Sequence, residues 1–188
     1  MQPDSVSGPS IVVALSSNKG ALRYGVSYIS VEQAQRNVQR EIQSYELKLV
    51  AKAGRNEWAK ALDKIQVEGG TAAERSTFYT SLYRTYERMV CISEEGRYWS
   101  AFDNKVHEDG GVPFYTDDWL WDTYRAVHPL RLLLDPEREQ QMLTSLLRMA
   151  RQSPEGWLPT FPEVQGDTHR MNGSHTIATF ADAYAKGL

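Results

Sequence analysis

Five aromatic rings, three carboxylates and a guanidinium fall within the twelve residues Phe114 to Arg125, Phe-Tyr-Thr-Asp-Asp-Trp-Leu-Trp-Asp-Thr-Tyr-Arg. Aromatic faces cover C–H surfaces while charged acceptors and donors hold hydroxyls, so this mixture suits a sugar. On a continuous helix Asp118, Asp122 and Arg125 stand at i, i+4 and i+7 on one face, with Trp121 beside them and within cation–π reach of Arg125. Trp119, Leu120, Tyr124 and Val127 take the opposite, apolar side, which turns the polar face toward a second wall or a cavity. The competing reading is structural: Asp117 or Asp118 complements a helix dipole, and Asp122 with Arg125 forms a surface pair.

A second constellation, Phe161 to His175, is a polar loop running into a helix start. Glu163 and Asp167 are candidates for a general acid, His169 and His175 for proton shuttling or hydroxyl binding, and Asn172 for a helix cap. The alternative is a capped, solvated connection. His169 and His175 are six apart, which is not the helical pair of a zincin, so metal binding is the weaker reading. The chain has neither a nucleophile elbow nor a phosphate-binding glycine loop.

The elements that must carry these residues change character along the chain. Ile11 to Leu15 and Leu22 to Ile29 are apolar runs separated by Ser16-Ser17-Asn18-Lys19-Gly20, the pattern of a β-hairpin. Two strands alone bury little, so the hairpin is expected to finish a sheet whose other strands lie outside this sequence, with Met1 not the natural beginning. From Ser30, with Gln33 at capping-box spacing, Gln33 to Val50 lacks proline and glycine and predicts a linker helix. Thr71 and Glu74 repeat the arrangement before a helix with Phe78, Leu82, Tyr86 and Met89, which is expected to be well buried. Glu94 to Val112 predicts an irregular or hairpin-like stretch, and Asp117 to Leu134 a helix. Asp135-Pro136 stops that helix and starts the next, whose stripe is Met142, Leu143, Leu146, Leu147 and Ala150, ending near Gly156. A loop over Trp157 to Asn172 precedes a last helix from about Ser174. One hairpin followed by successive helices predicts helical hairpins arranged around a centre.

Composition bounds the partners. The 188 residues are 41% hydrophobic and 24% charged, which describes a globular chain. A net charge of -3 with mixed signs and no basic run argues against nucleic acid. No apolar run approaches the ~18 to 20 residues of a membrane span, and Met1 to Ser10 lacks the regions of a signal peptide. The single cysteine, Cys91, cannot form an internal disulfide or a cysteine-based zinc site, and reads as a small buried hydrophobe.

Four segments occur in a recognisable order: Val26-Ser27-Tyr28-Ile29-Ser30-Val31-Glu32-Gln33-Ala34; Phe78-Tyr79-Thr80-Ser81-Leu82-Tyr83-Arg84; Leu120-Trp121-Asp122-Thr123-Tyr124-Arg125-Ala126 with His128-Pro129-Leu130; and Ala181-Asp182-Ala183-Tyr184-Ala185-Lys186-Gly187. Together they resemble glycoside hydrolase family 92 over nearly the whole chain. The resemblance implies a mainly α fold: an incomplete (α/α)6 barrel from 55 to 188, preceded by the end of a β-sandwich domain (1–31) and a helical linker (32–54). It implies an inverting, calcium-dependent exo-α-mannosidase, secreted or periplasmic in its full-length form, releasing mannose from N-glycans or mannans. The family's calcium-binding Gly-Asn-Glu-Pro segment and general-base aspartates lie further along the barrel. This chain is therefore expected to be a fragment, inactive alone, with calcium ligands outside it and a mannose-containing glycan as partner.

Carried onto these positions, the resemblance makes Asp167 the candidate acid, Trp121, Asp122, Arg125 and Asp118 the mannose-site residues, and His175 a support for the loop. Two departures fall at the implied pocket. Gly166-Asp167-Thr168 stands where the family has an Asn-Glu-Thr type sequence, so an aspartate replaces the acid glutamate and reaches roughly 1.5 Å less far. Asp118-Trp119 replaces the more usual Phe-Ser. The alternatives are a non-catalytic or degenerate mannose-binding homologue, and a mannosyl phosphodiester hydrolase whose phosphate leaving group needs little protonation.

Overall fold

A computed structural model describes residues 19–188. The first predicted strand, Ile11 to Leu15, lies outside the described residues. Leu22 to Ile29 is assigned neither strand nor helix, yet its exposure alternates: Leu22, Tyr24, Val26 and Tyr28 face solvent while Arg23, Gly25 and Ser27 are half-buried. The segment lies along the first helix, where a Cβ on Gly25 would come within 2.1 Å of the Ala34 carbonyl oxygen. Only glycine allows that approach.

The predicted linker helix is two helices, α1 (Val31–Glu41) and α2 (Leu47–Leu62). Ser30 caps α1 as expected, accepting from the Gln33 N–H. The break comes from tertiary competition for one backbone pair. A continuous helix would join the Glu46 N–H to the Ile42 carbonyl; instead the Arg23 guanidinium donates to that carbonyl at 2.6 Å and the Ser44 hydroxyl accepts from Glu46 N at 3.0 Å. The second helix also runs beyond residue 54, the expected end of the linker.

Thr71 and Glu74 form the expected reciprocal capping box of α3 (Ala72–Arg84). This helix is less buried than its apolar residues predict. Leu82 alone is buried, while Phe78 and Tyr83 remain partly exposed, because α3 is covered chiefly along the seam with α2, where Trp58 meets Tyr83 and Tyr86. Three two-stranded antiparallel pairs follow. They are β1 (Val90–Cys91) with β4 (Tyr115–Thr116), β2 (Arg97–Ser100) with β3 (Lys105–Glu108), and β5 (Pro162–Glu163) with β6 (Gly166–Asp167). Cys91 is exposed on β1, contrary to its expected burial.

The expected helix over Asp117 to Leu134 is replaced by a short α4 (Leu120–Thr123) and α5 (Val127–Leu134). Pro129 explains the interruption: it has no N–H for the Arg125 carbonyl and its ring would clash there, but it is tolerated in the first turn of a new helix. Asp117, at φ 66, lies outside any helix. Asp135-Pro136 separates α5 from α6 (Pro136–Gln152) as expected, with proline in the first turn. The last helix, α7 (His175–Ala185), has Ser174 at its N-cap position, so Asn172 is not the cap.

The core gathers around α6. Met142, Leu143, Leu146 and Met149 meet Met89, Ile92 and Phe114 beside the β1–β4 pair, Tyr98 of β2 and Leu120 of α4, with Ala183 from α7. Tyr98 and Phe114 stack at 4.0 Å within it. Each such buried side chain contributes about 1.5 to 3 kcal/mol relative to exposure, which fixes the strand pairs and the short helix against one wall.

Candidate active site

Two groups of candidate residues are held on different parts of this wall. The first is the β5–β6 hairpin and its flanks. Pro162 pairs with Asp167 and Glu163 with Gly166, so Asp167 sits at the edge of a tight turn. Its carboxylate is nearly enclosed. Oδ2 accepts from the Thr160 N–H at 2.6 Å, and Oδ1 from the N–H groups of Phe161 at 2.9 Å and His169 at 3.1 Å, with the Thr160 hydroxyl also in reach. Three main-chain donors on one side chain make Asp167 the clamp of its own loop. His169 Nδ1 lies 3.4 Å from the same carboxylate, and Glu163 pairs with Arg170 at 3.2 Å.

Asp167 and His169 open onto a cavity of about 600 Å³. Phe102, Trp157, Pro159, Thr160 and Gln165 also line it, and Trp157 is 74% exposed. A volume within the range of small-molecule sites, an uncovered indole and a carboxylate at its edge form a cleft of the composition that binds sugars.

The second group is α4 and its exit. Trp121, 44% exposed, and Asp122 face solvent on α4, and Arg125 follows the helix. Because the helix ends at Thr123, Asp118, Asp122 and Arg125 do not form the expected single face. Arg125 also pairs elsewhere than with Trp121: its Nε donates to the Tyr124 hydroxyl at 2.8 Å, with the guanidinium 5.4 Å from that ring. The Tyr124 ring in turn stacks on His175 at 4.3 Å, tying α4 to the first residue of α7. His175 thus supports the junction after the loop. No hydrogen bond, ion pair or ring contact joins Trp121, Asp122 or Arg125 to Asp167.

Asp118 occupies neither group. It is fully buried, and its carboxylate accepts from the Trp119 N–H at 2.8 Å and the Thr123 hydroxyl at 2.9 Å, while Oδ2 is 2.7 Å from His128 Nε2. His128 Nδ1 is 2.6 Å from Glu139 Oε1, so one enclosed imidazole bridges two carboxylates. Burial by itself would lower the His128 pKa, but hydrogen bonds and charge from Asp118 and Glu139 outweigh it and raise it to about 9. Burial would raise Asp118; its bond to His128 and the charges of His128 and Arg131 hold it below the usual aspartate value. The buried Arg131 contributes a second cation. Asp118 is therefore beyond the reach of a sugar in this arrangement, and serves the frame beneath the surface.

The sequence did not show the buried bridge of His128 with Asp118 and Glu139, or Arg131 beside it, although His128 lies in one of the four segments. A signal existed: Glu139 lies on the same helical stripe as Met142, Leu143 and Leu146, and a carboxylate on an apolar stripe demands a buried partner. Among the described residues, no three His, Cys, Asp or Glu side chains are placed to hold a metal ion.

Solved structures of similar shape add to this geometry. The inverting family 92 mannosidase BT2199 from Bacteroides thetaiotaomicron VPI-5482 superposes with a TM-score of 0.77 at 34% identity, over 86% of this chain and 22% of that one. The family 92 α-mannosidase BT3965 from Bacteroides thetaiotaomicron, in complex with mannoimidazole, gives 0.76 at 28% identity, over 85% of this chain and 21% of that one. The family 92 glycosyl hydrolase ccman5 gives 0.69 at 25% identity, over 86% of this chain and 22% of that one. The chain thus spans about a fifth of the length of these relatives. No curated protein matches it. The model of the glycosyl hydrolase family 92 catalytic domain matches residues 33–188, and the chain belongs to that family.

Proposed function

We propose that this chain is part of an inverting exo-α-mannosidase that releases mannose from N-glycans or mannans. The observation that carries the reading is the cleft of about 600 Å³ in which Asp167 and His169 lie with the exposed Trp157. Similarity to a relative solved with mannoimidazole supports mannose as the sugar. In this reading the helices belong to the first part of an (α/α)6 barrel, with a sandwich domain and linker before it. The full-length protein is calcium-dependent and secreted or periplasmic. The calcium ligands come from elsewhere in that protein, and no step here depends on them.

The chemistry asked of this chain is one half of inversion. Asp167 delivers a proton to the leaving glycosidic oxygen while, ~6.5 to 9.5 Å across the sugar, a second carboxylate deprotonates the attacking water. Trp157 covers one face of the ring, and Trp121, Asp122 and Arg125 contact sugar or glycan at the neighbouring surface. Because three N–H groups already hold the Asp167 carboxylate, acting as acid requires it to loosen one of those bonds as substrate enters.

That same donor set favours a second reading, a mannosyl phosphodiester as substrate. A phosphate leaves with little protonation, so a carboxylate engaged in holding its loop is no handicap, and His169 stands beside it as a hydrogen-bonding group, with Arg170 paired to Glu163 on the same loop.

One experiment separates these. The full-length protein containing this chain is assayed for mannose release from an aryl α-mannoside, an α-mannobiose and a mannose-1-phosphate diester, with and without chelator. Chelator-sensitive release from the first two, falling ~100-fold or more in Asp167→Asn, is expected for the first reading. Release from the diester alone, little changed in Asp167→Asn, selects the second. Binding of mannose without any release would identify a non-catalytic homologue and reject both.

A further inference from the structure

The buried cluster of Asp118, His128 and Glu139 is far more elaborate than a helix junction needs, and its connections run toward Asp167. Asp118 is the point where the cluster meets the loop. Its main-chain N–H donates to the Pro162 carbonyl at 2.8 Å, and Pro162 is the residue paired across the hairpin from Asp167. The next residue, Trp119, stacks on Phe161 with centroids 5.5 Å apart and 15° between planes. Phe161 supplies one of the three N–H groups that hold the Asp167 carboxylate. Two residues before Asp118, the Thr116 hydroxyl donates to the Glu163 carbonyl at 3.3 Å. Three consecutive residues of the β5 arm, 161 to 163, are therefore gripped by residues 116, 118 and 119.

What holds the gripping segment is the cluster itself. The backbone at Asp117 is left-handed, and strain at such a residue persists only where its surroundings over-determine it. Here the Asp118 carboxylate is locked by Trp119 N, Thr123 Oγ1 and His128, and His128 is locked from the far side by Glu139 of α6. A buried carboxylate bound on this many sides cannot rotate away without leaving charges uncompensated in the interior. The grip is stiff because it is charged.

We infer that Asp118, His128 and Glu139 act as positioning residues for the candidate acid loop, fixing residues 161 to 163 and through them the Asp167 carboxylate. The role rests on the mannosidase reading for its kinetic consequence, though not for its structural one.

The test uses the full-length protein, with Asp118→Asn and the milder Thr123→Val, which removes a single hydroxyl donor from the same carboxylate. Two quantities are measured: kcat and KM on the substrate that wild type cleaves, and hydrogen exchange at the Thr160, Phe161 and His169 amides, the three that Asp167 holds. Positioning predicts that Asp118→Asn lowers kcat ~10-fold or more with KM within about twofold. It also predicts selectively faster exchange at those three amides, with α3 and α6 unchanged, and the same pattern at smaller size in Thr123→Val. Unchanged kcat, or faster exchange spread evenly through the helices, overturns it. If Asp118→Asn does not fold, Thr123→Val decides by the same criteria. If wild type releases no mannose, the functional reading has failed, and selective or unselective exchange at the three amides decides the positioning role by itself.

Discussion

The ring of Tyr124 stacks on the imidazole of His175, centroids 4.3 Å apart and planes 18° from parallel. This contact joins the exit of α4 to the entrance of α7, two points separated in sequence by all of α5, α6 and the β5–β6 loop. Such a pair contributes about 0.5 to 1.5 kcal/mol beyond the area it covers. A double-mutant cycle with Tyr124→Ala and His175→Ala, read by denaturant unfolding of the full-length protein, is expected to give a coupling of that size. Tyr124→Phe should keep the stack and lose only the bond to Arg125. Strictly additive effects would show that the two rings do not support each other.

Gly173 is the residue that lets this stack form. Its φ of 101 suits glycine, and a Cβ there would lie 2.7 Å from His175 Nε2, an imidazole already pinned against Tyr124. Gly173→Ala therefore meets both backbone strain and a blocked side chain. The expected cost is about 1 to 2 kcal/mol, with a lower melting temperature. A neutral or stabilising result would mean that the loop enters α7 by another path.

The His128 cluster imposes a pH dependence whose sign is fixed. Its folded pKa, about 9, lies above the ordinary 6.5, so the protonated ring is bound more tightly in the folded state. That stabilisation is complete below pH 6.5 and is lost as pH rises through about 9. Asp118 is held low and acts at the other end, its contribution present above the ordinary 3.8 and lost as pH falls through the folded value. Melting temperature should decline between pH 6.5 and 9, and His128→Gln should remove that decline while costing about 3 to 5 kcal/mol at neutral pH. A flat wild-type profile over this window would show that His128 is not charged between its two carboxylates.

Trp121 and Arg125 provide the contrast. Both are exposed, and neither takes part in the buried cluster. Trp121→Ala and Arg125→Ala are expected to leave the melting temperature within about 1 °C and to raise KM for a mannoside several-fold. Unchanged KM in both would remove α4 from the sugar-binding surface.

Some of the architecture was legible because it rests on neighbours in sequence. Thr71 with Glu74 and Asp135-Pro136 each act within one turn and do in the structure what their spacing implies, while Ser30 accepts from the Gln33 N–H but the Gln33 side chain turns to Asn37, so only half of that capping box forms. The α6 stripe was legible for the same reason, although the Glu139 embedded in it pointed to a buried partner that the stripe alone did not identify. The division of the predicted helix over Asp117 to Leu134 was also written locally, in Pro129, which the apolar periodicity on both sides concealed.

The sequence by itself determined the family, through four ordered segments, and the helix boundaries marked by Ser30, Thr71 and Asp135-Pro136, because caps and prolines act over a few residues. It also placed Asp167 in the loop that carries the candidate acid. Only the tertiary structure decided that Arg23, more than twenty residues from Ser44, splits the linker helix at the Ile42 carbonyl, and that Asp118 turns inward to His128 instead of outward to a sugar. It likewise decided that the Asp167 carboxylate is held by its own loop. Those outcomes depend on which distant donor reaches an acceptor first and on what remains dry around it. Hydrogen bonds and charges acquire their strength from that enclosure, and residue order alone does not contain it.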